Sequence, residues 1–96
     1  MSNLVGLDFE VFGRVQGVFF RKYTQQRGKE LGLKGWCMNT KGGSVVGRIE
    51  GEKSKVDDMK HWLQKIGSPQ SLIDKAEFRN ERDISELTFA DFSIKK

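Results

Sequence analysis

The sequence is poor in the residues that build disulfide frameworks and metal centres. Among its 96 residues there is one cysteine, Cys37, and one histidine, His61. A lone cysteine excludes an internal disulfide, and the sequence has no CxxC motif or His/Cys cluster that would indicate a metal site. This cysteine usage is typical of a protein kept in a reducing, cytoplasmic compartment.

The sequence also lacks a long apolar run. Its apolar stretches have the length of strands, and Asp8 and Glu10 interrupt the first of them. We therefore expect no signal-peptide core and no membrane span, but a soluble protein without a membrane partner. Hydrophobic residues still make up 36% of the chain, including seven Phe and two Trp, so a packed core is expected. The length predicts one domain over residues 1–96.

No basic block stands out. The 17 Lys and Arg residues are spread among 13 Asp and Glu residues, which leaves a net charge of +4. A mildly positive surface favours anionic ligands, and it is compatible with nucleic acid as well as with a small phosphorylated metabolite. Nothing in the sequence requires more than a monomer.

Hydrophobic periodicity predicts the order βαββαβ with an extra short C-terminal strand. The predicted strands cover residues 7–11, 35–40, 44–50, 75–80 and 89–94, and the predicted first helix covers residues 20–31 and stops at Gly32. Right-handed crossovers place both helices on one face of a mixed, mostly antiparallel sheet. This is the ferredoxin-like α+β arrangement.

The second helix has the clearest sequence signals. Ser54 and Asp57 have the spacing of a capping box, and Gly67 and Pro69 mark the helix end. Between them runs an apolar stripe at helical spacing, made of Val56, Met59, Leu63 and Ile66. The segment after this helix, residues 68–73, is predicted to be a loop.

The first candidate site is a passage from strand to helix. Residues 13–21 read Gly-Arg-Val-Gln-Gly-Val-Phe-Phe-Arg. A helix N-terminus offers unpaired amides to an anion, Gly17 lets the backbone curve around it, and Arg21 can grip two phosphate oxygens with its planar guanidinium. Alone, the passage is a weak signal, since an ordinary connector beside a solvated arginine has the same pattern, and Phe19 or Phe20 is expected to pack in the core.

The second candidate site ends the predicted second strand. Asn39 and Thr40 precede a turn at Lys41, Gly42 and Gly43. An asparagine before a glycine turn is most often a turn former, so a functional role for Asn39 depends on what lies beside it.

The two segments together resemble the signature segments of the acylphosphatases. The first is residues 13–21, and the second is residues 35–51, Gly-Trp-Cys-Met-Asn-Thr-Lys-Gly-Gly-Ser-Val-Val-Gly-Arg-Ile-Glu-Gly. The similarity continues through residues 67–69 and 92–94, so it covers nearly the whole chain in order. Cys37 stands where members of the family often carry an aliphatic residue.

This resemblance implies an enzyme that hydrolyses the carboxyl-phosphate bond of small acyl phosphates without metal or cofactor, with inorganic phosphate or sulfate as competing anions. By motif position, Arg21 would bind the phosphate, Asn39 would orient the attacking water, and Thr40 would support it. Backbone amides of the loop would complete the phosphate site, from Val15, Gln16, Gly17, Val18, Phe19 and Phe20.

Two other functions remain open at this point. A ferredoxin-like sheet with exposed aromatics can bind single-stranded nucleic acid, but the RNP1 pattern is absent and nucleic acid is not the expected partner. A phosphate site can also serve binding without catalysis. Measurement of turnover separates that function from an enzyme.

Overall fold

A computed structural model describes residues 3–95; Met1, Ser2 and Lys96, which the predicted domain includes, lie outside the described residues. The elements are β1 (Leu4–Arg14), α1 (Phe20–Glu30), β2 (Lys34–Asn39), β3 (Val45–Glu52), α2 (Lys53–Lys65), β4 (Leu72–Asp83) and β5 (Phe92–Lys95). No helix within residues 3–95 has the length and apolar character needed to cross a bilayer.

The five strands form one sheet in the order β4-β1-β3-β2-β5. Every pairing is antiparallel except that of β2 with β5. Both helices pack on the sheet and contact each other. The predicted ferredoxin-like fold, with its mixed, mostly antiparallel sheet and extra C-terminal strand, is confirmed.

Strand alternation supplies most of the core. Successive inward positions of β1, namely Val5, Leu7, Phe9 and Val11, are at most 2% exposed, whereas Asp8 and Glu10 point to the other face. Phe20 from α1 and the residues Val56, Met59 and Leu63 from α2 cover this apolar face. Each such side chain stabilises the fold by about 1.5–3 kcal/mol through burial.

The predicted capping box at Ser54 is wrong. β3 runs directly into α2, so Glu52 occupies the N-cap position and makes no side-chain cap hydrogen bond. The Lys53 amide instead donates to the backbone oxygen of Asn3 at 2.9 Å. This backbone contact satisfies one of the amides at the helix start that have no partner within the helix. Ile66 also fails as a core residue, because α2 ends at Lys65 and Ile66 is 55% exposed.

The outer strand β4 is longer than predicted. It begins at Leu72 and ends at Asp83, so part of the predicted loop over residues 68–73 belongs to the sheet. Most side chains of β4 are exposed. Its sequence therefore lacks the alternation of apolar and polar residues by which a half-buried strand is recognised. Pairing with β1 along almost the full strand sets its length instead.

Close packing fixes β5 beside α1. A Cβ on Gly28 would stand 2.8 Å from the Phe92 ring, so only glycine permits this approach of helix to strand. The Gln25 side chain adds a hydrogen bond to the Phe92 backbone oxygen at 2.8 Å. These contacts bring Ile94 alongside β2, where it pairs with Cys37.

The topology brings two chain segments to one end of the sheet. β1 and β2 both pair antiparallel with β3, so β1 and β2 run parallel to each other. Their C-terminal ends therefore lie at the same edge. β1 leads there into the loop at residues 15–19, and β2 ends there at Asn39.

Candidate active site

The loop at residues 15–19 presents unused backbone amides. Within residues 3–95, the amides of residues 16–20 donate to no protein acceptor, whereas the Val15 amide is already bonded to Gly13 O at 3.1 Å. Gly17 and Phe19 have positive φ values of 75° and 60°, which curve the loop. Successive free amides in such a curve are a binding site for an anion.

Buried flanking residues hold this loop in place. Val15, Val18 and Phe20 are at most 3% exposed, and the Phe20 ring lies 5.7 Å from the Trp62 ring between centroids. The Ser68 hydroxyl donates to the Val18 backbone oxygen at 2.8 Å. The amides are therefore oriented before any ligand arrives, as electrostatic stabilisation of an anion requires.

Gly17 faces open space. A Cβ added there would have no neighbour within 4 Å, so packing does not explain the glycine. Its positive φ does explain it, because a residue with a side chain would be strained in that conformation.

A cavity of about 510 Å³ opens over this loop. It is lined by Val15, Gly17, Phe19, Phe20, Arg21, Lys22, Asn39 and Ile94. The lining contains two cations and no carboxylate, and Arg21 forms no salt bridge within the part of the chain that the structure describes. A positive cavity with an unused guanidinium suits a phosphate group.

Asn39 lines the cavity and carries an unsatisfied polar atom. Its Oδ1 atom is buried and has no hydrogen-bond partner among the described residues. An unpaired buried acceptor costs about 1–3 kcal/mol, so this atom does not stabilise the fold through any of the described residues. The turn that follows Asn39 is closed by other groups, since the Thr40 amide donates to Ser44 O at 2.9 Å.

Gln16 joins the loop to this turn. Its side-chain Nε2 donates to Thr40 O at 2.8 Å and to Ser44 O at 2.9 Å. The Ser44 hydroxyl lies 2.7 Å from Thr40 Oγ1 and donates to Glu10 Oε2 at 2.7 Å. The two halves of the cavity are therefore linked by direct hydrogen bonds, which fixes Asn39 relative to the amides.

The structure brings together most of the residues named from the sequence. Arg21 and Asn39 line one cavity with Val15, Gly17, Phe19 and Phe20. Thr40 does not line it, because its hydroxyl closes the turn. Gln16 and Val18 do not line it either, although both amides are unpaired within residues 3–95.

Lys22 and Ile94 also line the cavity, and sequence reasoning missed both. Lys22 follows Arg21 in the first helical turn, which is a signal that could have identified it. Ile94 reaches the cavity only through the parallel pairing of β5 with β2, for which the sequence has no local signal.

Comparison with known proteins settles the family. A family model described as acylphosphatase matches residues 7–94. The chain belongs to the acylphosphatase family. The predicted family and the predicted class of enzyme are thereby confirmed.

Curated acylphosphatases match almost end to end. Acylphosphatase-1 of Mus musculus is 56% identical over 95 residues, covering 99% of this chain and 96% of that protein. Acylphosphatase-2 of Homo sapiens is 50% identical over 94 residues, covering 98% of this chain and 95% of that protein. The crystal structure of acylphosphatase from Bacillus subtilis superimposes with a TM-score of 0.87 at 30% identity, covering 96% of this chain and 99% of that one.

Cys37 of this acylphosphatase lies near the cavity without lining it. The residue is fully buried, and its Sγ contacts the Arg21 backbone oxygen at 3.8 Å. Burial raises the pKa of the Cys37 thiol to about 12, although the charge of Arg21 lowers it. This environment is that of a small hydrophobic strand residue and not of a nucleophile.

We expect the folded protein to resist alkylation at Cys37. With a pKa of about 12, the thiolate fraction at neutral pH is on the order of 10⁻⁵. Iodoacetamide labelling followed by mass spectrometry measures this, with urea-unfolded protein as the reactive control. Complete labelling of folded protein at the rate of the unfolded control would contradict the burial.

Proposed function

We propose that this acylphosphatase cleaves small acyl phosphates by attack of a water molecule that Asn39 orients, on a phosphate held by Arg21 and the amides of residues 15–20. The observation that carries the proposal is the shared cavity, which Arg21 and Asn39 line together with residues of the loop. Within residues 3–95, Arg21 forms no salt bridge, Asn39 Oδ1 has no hydrogen-bond partner, and the amides of residues 16–20 are unpaired. The Val15 amide, already bonded to Gly13 O, contributes less than the five that follow it.

Each group has one task in this reaction. The water oxygen bonds to phosphorus while the bond from phosphorus to the carboxylate oxygen breaks, and that bonding pair leaves with the carboxylate. A carboxylate leaves readily, so no general acid is needed, and the proton released by the water passes to a phosphate oxygen. Positioning and charge stabilisation then supply the rate enhancement, as is general for phosphoryl transfer.

Arg21 and the loop amides stabilise the charge on the phosphate oxygens. These hydrogen bonds are charge-assisted and therefore stronger than neutral ones. Asn39 suits the water because a neutral carboxamide can approach a phosphate dianion, whereas a carboxylate would repel it. Gln16 holds the two parts at a fixed separation through Thr40 and Ser44.

The proposal extends to partners and location. Inorganic phosphate and sulfate compete for the cavity, the enzyme acts as a monomer, and neither metal nor cofactor takes part. A reduced, buried Cys37 supports a cytoplasmic location.

The alternative of a nucleic-acid-binding module gains no support from the helix-free face of the sheet. On β1, Asp8 and Glu10 lie on that face and form ion pairs with Arg48 at 3.2 Å and with Arg79 at 3.3 Å, so both arginines are already engaged and do not offer a free cation to a phosphate backbone. A single-stranded oligonucleotide titration at low salt therefore serves as the control measurement.

Hydrolysis of benzoyl phosphate by purified protein tests the proposal. We expect turnover that is equal with and without excess EDTA, together with competitive inhibition by inorganic phosphate. Absence of hydrolysis would contradict the enzymatic function. Turnover that EDTA abolishes and added divalent cations restore would contradict the metal-independent mechanism alone.

A further inference from the structure

Phe19 is exposed at a position where the backbone is strained. The residue is 67% exposed, and its backbone adopts a left-handed conformation, with φ of 60° and ψ of 23°. Both features oppose a large apolar residue. Its chain neighbours Val18 and Phe20 are 3% and 1% exposed, so the loop around the ring is firmly packed. The ring is therefore presented to solvent from a fixed backbone.

Phe19 also lines two cavities. One is the phosphate cavity, whose lining includes Arg21 and Lys22. The other is a smaller groove of about 220 Å³, lined by Val18, Phe19, Tyr23, Pro69 and Gln70, none of which carries a charge. The cationic cavity and the uncharged, largely apolar groove thus have one aromatic residue in common.

The cationic cavity and the uncharged groove match the two ends of an acyl phosphate, the charged phosphate and the acyl group. The acyl carbon is one bridging oxygen away from phosphorus, so an acyl group must lie within a few ångströms of the bound phosphate. Residue 19 contributes an amide that is unpaired within residues 3–95, and it lines both the cavity beside Arg21 and the adjoining groove. The ring is consequently within reach of the acyl group.

We propose that Phe19 is a specificity-determining residue that packs against the acyl group and favours aromatic or other apolar acyl groups over small ones. The inference rests on the proposed function, because it assigns the acyl end of the same substrate. An aromatic acyl group can stack on the Phe19 ring or meet it edge-to-face. Both arrangements bury apolar area and are favoured geometries for a pair of aromatic rings. An acetyl group is too small to cover it.

Other exposed apolar side chains do not share this position. Tyr23 is 38% exposed and lines only the uncharged groove. Ile66 is 55% exposed, Leu72 is 65% exposed and Leu87 is 40% exposed, and none of these three lines either cavity. Ile66 therefore provides a matched control for the loss of an exposed apolar group.

The test compares kcat and KM for benzoyl phosphate and acetyl phosphate in Phe19→Asn, Phe19→Leu and Ile66→Ala. Asparagine tolerates the left-handed conformation, so Phe19→Asn removes the ring while keeping the backbone. The two substrates differ in intrinsic reactivity, so the quantity of interest is the change in their kcat/KM ratio. We expect Phe19→Asn to lower the benzoyl-to-acetyl ratio by about tenfold, chiefly through the KM for benzoyl phosphate.

We expect Phe19→Leu to fall between wild type and Phe19→Asn, and Ile66→Ala to keep the wild-type ratio. An unchanged ratio in Phe19→Asn, whether or not both rates fall together, would overturn the specificity role and leave the proposed function standing. Wild-type protein that hydrolyses neither substrate would contradict the proposed function and the inference with it.

Discussion

Arg21→Ala lowers kcat/KM for benzoyl phosphate by about a thousandfold, the result expected if one guanidinium carries much of the phosphate charge. The side chain forms no salt bridge within residues 3–95, so its removal breaks no ion pair of the fold. Stability should therefore stay near that of wild type, and inhibition by inorganic phosphate should weaken together with activity. Steady-state kinetics and thermal unfolding measure the two effects.

Lys22 offers the matched control, because it lines the same cavity and carries the same charge. We expect Lys22→Ala to cost less than about tenfold, since a single exposed charge contributes little in water. Arg21→Lys should fall between the two, because lysine keeps the charge but loses the planar pair of donors. Equal losses in Lys22→Ala and Arg21→Ala would show that net charge, and not the guanidinium, binds the phosphate.

Asn39→Ala has the second large effect, a loss of about a hundredfold to a thousandfold in kcat. Because Asn39 is assigned to the water and not to the phosphate, the inhibition constant for inorganic phosphate should change by less than about threefold. The split between a lost kcat and a retained phosphate affinity distinguishes this role from that of Arg21. Full activity in Asn39→Ala would exclude the water-positioning role.

The same substitution should not destabilise the protein. Asn39 Oδ1 has no partner among the described residues, and no side-chain hydrogen bond to Asn39 would be lost. Removing a buried unpaired acceptor is expected to raise the free energy of unfolding by about 1 kcal/mol. A more stable and nearly inactive variant would be the signature of a residue kept for catalysis. Chemical denaturation of both proteins provides the comparison.

Local patterns predicted those elements whose side chains alternate between core and solvent. In β1, Leu7 and Phe9 alternate with Asp8 and Glu10, and the buried and exposed faces follow this order. The pattern is weak in β4, whose length comes from pairing with β1. The start of α2 was misjudged for a related reason, since the chain passes straight from β3 into the helix and Asn3 supplies the acceptor. Long-range backbone partners of this kind have no local signal.

The convergence of Arg21 and Asn39 on one cavity follows from the predicted topology. Both residues belong to segments that follow the parallel strands β1 and β2, whose C-terminal ends lie together. The side-chain role of Gln16 did not follow, because its partners are backbone oxygens 24 and 28 residues away. The contribution of Ile94 depends on how β5 pairs, which the sequence alone does not specify.

An NMR titration of ¹⁵N-labelled protein with inorganic phosphate tests the central claim, that Arg21, Asn39 and the loop amides surround one anion. We predict that the backbone amides of residues 16–20, the Arg21 Nε and the Asn39 carboxamide shift together along a single binding curve, while the amides of β4 remain still. Loop amides and the Asn39 carboxamide that respond at different phosphate concentrations, or a response confined to another surface, would contradict it.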